Sequence, residues 1–137
     1  MASIFELENP AFGNIYRKTT VTTLSASGAQ TATAAQLLGG VLVSVATAAF
    51  ALTTPTGALI CTALDAVNQN VVGVSFEFSI VNNGTSTFHI TLTAAATGVT
   101  LSGDAIVEAG TSSTFRAVVT AANTLVDRKS TRLNSSH

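Results

Sequence analysis

Few side chains in this sequence could do chemistry, and they stand far apart. His89 is the only histidine before residue 137. As a general acid or base it would need a carboxylate or a nucleophile fixed beside it in a cleft. Cys61 is the only cysteine, so it has no partner for an internal disulfide. A nucleophilic cysteine needs a stabilised thiolate. The nearest basic residues along the chain are Lys18 and Arg116, and the surrounding run "GALICTAL" is apolar. Cys61 therefore reads as a small buried hydrophobe. Asp65, Asp104 and Glu108 form no metal motif, because "SGDAIVEAG" lacks the run of oxygen ligands that a calcium loop needs. They read as turn and edge-strand charges. No zinc spacing occurs, and no glycine cluster builds a phosphate loop. The expected site inventory is empty, with no catalytic, cofactor-binding or metal-binding residues and no cofactor.

One pairing could bring Glu77 to His89. "VGVSFEFSIV" (72–81) alternates, with Phe76, Phe78 and Ile80 on one face and Ser75, Glu77 and Ser79 on the other. "TFHITLT" (87–93) places Phe88, Ile90 and Leu92 opposite Thr87, His89 and Thr91 in the same way. A three-residue loop, Asn82-Asn83-Gly84, with Gly84 left-handed, would join the two runs as a hairpin. That register sets Phe78 against Phe88 and Phe76 against Ile90. It also sets Glu77 against His89 on the open face, a solvated pair worth about 0.2–1 kcal/mol.

The remaining elements follow the same grammar. "TTVTTL" (19–24) is a β-branched strand. "TATAAQLLGG" is a short helix, with Thr33 at its cap and Gly39 as its left-handed end. "VLVSVA" and "AAFALTT" are buried strands. "PTGALICTALDAV" is a second helix, capped by Thr54 or Thr56 with Pro55 near its start. Short strands at 98–102, 105–109 and 113–121 complete a meander. No repeat of 20–50 residues is evident. The expected fold is mainly β: a small antiparallel sandwich or jelly-roll-like domain over 19–126, with one or two short helices. Residues 1–18 are expected to form an arm.

Composition narrows the function. Charged residues make up 9% of the chain, against about 25% in a typical soluble domain. That shortage excludes an electrostatic nucleic-acid binder, which needs a dense basic face. Residues 1–126 carry three basic and six acidic residues, a net of −3, whereas 127–137 carry a net of +2. The two segments follow different statistics. Glu6 and Glu8 stand where a signal peptide would be positive. The stretch 34–52 is long enough to span a membrane, but Gln36, the Gly39-Gly40 pair and the lack of aromatic belts favour a buried segment.

Several runs carry a resemblance: "TAAQLLGG", "TTPTGALI", "VGVSFEFSIVN" and "AGTSSTFRAVVT". Over roughly 19–126 the chain resembles a recurrent small β-rich protein of phage and viral metagenomes. The resemblance implies a non-catalytic virion component: a capsid decoration, head fibre or tail-fibre-like protein, assembled in the host cytoplasm. Its implied partners are copies of itself, with a trimer among the candidates, and other virion proteins; nucleic acid and membrane are not among them. "DRKSTRLNSSH" resembles the in-frame translation of a sequencing adapter, so 127–137 is expected to be disordered and to form no part of the core. Two alternatives are weighed. A carbohydrate- or surface-binding β-module would need an aromatic platform, yet there is no Trp and Tyr16 is the only Tyr. A membrane protein would use 34–52.

Overall fold

The computed structural model describes residues 18–129. The described chain begins with β1 (Thr20–Thr23), β2 (Gln30–Thr31), α1 (Ala34–Gly39), β3 (Gly40–Ser44), β4 (Phe50–Thr53) and α2 (Gly57–Asp65). It continues with β5 (Ser75–Asn82), β6 (Ile90–Thr93), β7 (Val99–Ser102), β8 (Ile106–Val107), β9 (Thr111–Ala121) and β10 (Thr124–Lys129). The fold is mainly β with two short helices, as the alternation and the two cap signals suggest.

The strands form two layers. The larger sheet has the order β1-β3-β5-β9-β10-β7 and the smaller one β2-β4-β6-β8. Successive strands alternate between the layers, so β1, β3 and β5 stack in parallel in one sheet while β2, β4 and β6 stack in parallel in the other. The first half of the chain is therefore a coil. Each pass lays one strand in each sheet, and α1 and α2 carry the chain back across. The third pass has no helix: β6 leads through Thr97 and Gly98 into β7, which lies parallel to β10 at the far edge. β9 closes the large sheet antiparallel to β5, and β10 folds back along β9.

This corrects the antiparallel expectation. Of the eight strand pairings, five are parallel. Period-two alternation reports that one face of a strand is buried. A two-layer parallel coil buries one face as an antiparallel sandwich does, so alternation alone does not separate them. The structure also contains the repeat that the sequence hides. Thr20 sits beside Gly40, but Val41 sits beside Ser79, so the spacing nearly doubles from one pass to the next. The second pass contains the longer helix and the loop that follows it.

The expected hairpin is absent. β5 and β6 lie in different sheets, and the Asn82–Gly84 segment crosses between them. Phe78 faces Phe115, Phe76 faces Ala117, and Glu77 faces Arg116. Asn82 is fully buried and acts as a clasp. Its Nδ2 donates to the carbonyls of Phe88 at 2.9 Å and Val107 at 3.1 Å, while its Oδ1 accepts from the Gly84 amide at 2.9 Å. Gly84 is required for space rather than for a left-handed turn: a Cβ there would stand 2.5 Å from the Ala46 carbonyl oxygen.

Between the sheets the core is aromatic and branched aliphatic. Phe78 stacks on Phe115 with ring centroids 5.5 Å apart, surrounded by Leu42, Leu52, Ile80, Ile90 and Leu92. α1 adds Leu37, and α2 adds Ile60, Cys61 and Leu64. α1 begins with a full capping box: Thr33 Oγ1 accepts from the Gln36 amide, and the Gln36 side chain accepts from the Thr33 amide. Its left-handed residue is Gly40, one position beyond the one expected. α2 is capped by Thr56, with Pro55 just outside. Residues 34–52 fold as α1, β3 and β4, and among the described residues no helix is long and apolar enough to cross a membrane.

At the C-terminal side, β10 does not stop at Val126. It continues through Asp127, Arg128 and Lys129, paired with β9 throughout and with β7 as far as Arg128. The expectation that 127–137 adds nothing to the folded body is corrected for these three residues. Residues 130–137 lie outside the described residues, as does the expected arm apart from Lys18.

Candidate functional site

The structure keeps the chemistry-bearing residues apart. His89 precedes β6, half-buried, and its carbonyl accepts from the Phe50 amide. Glu77 lies in the other sheet and pairs with Arg116 at 2.6 Å, both side chains about half exposed. The expected Glu77–His89 pair therefore does not form, because its register depended on the hairpin. Cys61 is buried on the inner face of α2. Asp104 accepts from the Ile106 amide and from Lys129 Nζ, and these two interactions, the amide first, hold its carboxyl below the ordinary range. Asp65 and Glu108 are exposed and separate. Among the described residues no group of three or more His, Cys, Asp and Glu could hold a metal ion.

Two features lie outside that inventory. The first is a groove of about 560 Å³ at the helical end of the small sheet. Its walls come from the ends of β2 and β4, the caps and first residues of α1 and α2, and Ala95 and Ala96 beyond β6. Threonine hydroxyls surround it, but most are committed within the fold. Thr33 and Thr56 cap helices, Thr53 and Thr93 bond each other at 2.8 Å, and Thr54 accepts from the Ala95 amide at 3.0 Å. What remains for an occupant is methyl surface chiefly from Ala34, Leu59, Ala95 and Ala96. Such a lining suits apolar side chains and offers a sugar few directed hydrogen bonds.

The groove rests on one close approach. α2 starts where its backbone crosses the β6–β7 and β9–β10 connections, and a Cβ at Gly57 would collide with the carbonyl oxygens of Asn123 and Gly98. Gly57 donates its amide to Thr97. The motif "TTPTGALI" thus encodes an anchored helix start: a threonine cap followed by a glycine that fits between two loops.

The second feature is Asp127. On β10 the inward positions are Leu125 and Asp127, and both are fully buried. Asp127 sits between Ala117 of β9 and Leu101 of β7. Neither carboxylate oxygen has a hydrogen-bond partner. Burial alone pushes its pKa up from 3.8 to about 7. Arg128, the next residue, lies on the exposed face of the strand, and Lys129 is turned to Asp104 at 3.2 Å and the Ile106 carbonyl at 2.8 Å. The inward polar residues of other strands, Ser44 of β3 and Asn82 of β5, are hydrogen-bonded, whereas Asp127 is an inward acid without a partner.

The groove could not be read from sequence, because its lining comes from three separate segments made mostly of small residues. Asp127 had a signal, namely an acid two positions after Leu125, but a last strand ending at residue 121 and a domain ending at Val126 concealed it.

Comparison with known proteins adds no relative: no protein-family model, no curated protein and no solved structure matches the chain.

Proposed function

We propose that the chain is a non-catalytic structural protein that works by association, as a virion component of the decoration or fibre type, with copies of itself as its first partner. The observation that carries this reading is the outer face of the large sheet near its β1 edge. Val21, Val41, Ser79 and Thr114 form one cross-strand row there, and Thr23, Val43, Val81 and Ser112 form the next. Both rows are uncharged, and among the described residues β1 is the edge strand beside them. An uncharged face requires little desolvation of ions when it packs against a copy of itself, and an open edge can accept another strand. The separation of Glu77, His89 and Cys61 supports the non-catalytic part.

The test is sedimentation velocity across a concentration series, with wild type compared with Val21→Lys and Val43→Lys. Mass should rise with concentration in wild type, and both substitutions should suppress that rise. A strict monomer at millimolar concentration would defeat the proposal. The virion assignment has a separate check in the neighbouring genes. Capsid, portal or tail genes would support it, and metabolic genes would count against it.

A further inference from the structure

We infer that the apolar groove between α1 and α2 is the seat of the chain's own N-terminal arm, residues 1–17. The inference goes beyond the association reading and stands or falls separately from it.

The argument begins with what the groove can accept. The bonded threonine hydroxyls leave a methyl-lined floor, and no charged residue lines it. Leu59 stands at the groove and is 58% exposed. A large aliphatic side chain left this open beside Pro55 and two alanines is what a covering segment would bury. The groove is concave, so it fits a few side chains of a single strand of chain better than the flat face of another sheet.

The arm has the matching chemistry and lies within reach. Residues 1–17 include Ile4, Phe5, Leu7, Phe12, Ile15 and Tyr16, a higher density of large apolar side chains than the Thr- and Ala-rich strands around the groove. The arm joins the fold at β1, whose first residue packs against Gly39 at the C-terminal end of α1. The N-terminal end of that same helix, Thr33 and Ala34, is a groove wall. α1 has six residues and is about 9 Å long. Seventeen residues can span up to roughly 55 Å when extended. The groove is thus one short helix away from the arm's root. A tethered segment this close experiences an effective concentration in the millimolar range, so a modest affinity keeps the groove filled.

The experiment uses the full chain labelled at Ala and Leu methyls for NMR. Wild type is compared with a variant carrying Phe5→Ser, Leu7→Ser and Phe12→Ser. These positions lie outside the described residues, and unchanged resonances of Ala46 and Leu92 will confirm an intact fold. The expected result is a shift of the Ala34, Leu59 and Ala95 methyls, the same at every protein concentration. A reciprocal variant, Leu59→Asp, should expose the arm and increase its cleavage by a nonspecific protease several-fold. Unshifted groove methyls, or unchanged cleavage in the Leu59→Asp variant, would overturn the inference. A shift that vanishes on dilution would also overturn it as stated, because the occupant would then be a neighbour's arm. A concentration-independent shift in a strict monomer would sustain this inference while removing the association proposal.

Discussion

Asp127 makes the stability of this protein depend on pH in a direction opposite to that of most carboxylates. Its carboxyl has an ordinary pKa of 3.8 and is held at about 7 in the fold by burial without any partner. The folded state therefore keeps a proton that the unfolded chain releases. Between these two values the folded state binds more protons, so stability falls as pH rises. The penalty is absent below the lower value and fully present above the upper one. A displacement of about three units corresponds to about 4 kcal/mol at pH 8. Against a total of about 5–15 kcal/mol for a domain, that is a large fraction. Asp127→Val removes the carboxyl and fits the inward alternation beside Ala117 and Leu101. Asp127→Asn removes the charge but leaves a buried amide unpaired, which costs about 1–3 kcal/mol. Urea denaturation of the three proteins from pH 4 to pH 9 measures the effect. Asp127→Val should already be the more stable at pH 4, because the protonated carboxyl is itself buried and unpaired, and its advantage should grow by about 4 kcal/mol by pH 8. Titration of Asp104 cancels in that difference, because all three proteins share it. Parallel curves across the range, or a valine variant less stable than wild type at pH 8, would refute the reasoning.

The other predictions test the frame. Asn82→Leu should cost about 3 kcal/mol or more in denaturant unfolding, because it leaves the Phe88 and Val107 carbonyls and the Gly84 amide unpaired. Gly57→Ala should cost about 1–3 kcal/mol or prevent soluble expression, since the added methyl meets two backbone carbonyls that side-chain motion cannot clear. Thr33→Ala should lower stability by about 1 kcal/mol, the usual worth of an N-cap, while Thr33→Ser should restore most of it. Glu77→Ala should change stability by less than about 1 kcal/mol, and added salt should shrink even that, because the Arg116 pair is solvent-exposed.

Local order was legible in this sequence wherever a side chain answers to its neighbours. Thr33 announced a cap because it precedes a helix-forming run and its side-chain oxygen can accept from the amide three residues on. The alternation of Phe76, Phe78 and Ile80 announced which face is buried. Strand partnership was not legible, because alternation is blind to the direction of the neighbouring strand and because the coil's passes differ in length. "NNGTS" shows the ambiguity at the scale of one residue. Asn-Gly in a sequence stands for a turn when its value is a positive φ. Here Asn82 is valuable for an amide that bonds two carbonyls, and Gly84 for lacking a Cβ. The groove was invisible for a related reason: small residues in three segments carry no periodic mark. Asp127 is the reverse case. The charge split at Val126 separated it from the chain before it, and the fold places it where an apolar residue belongs. A valine there restores the pattern, and the pH dependence disappears with the acid that caused it.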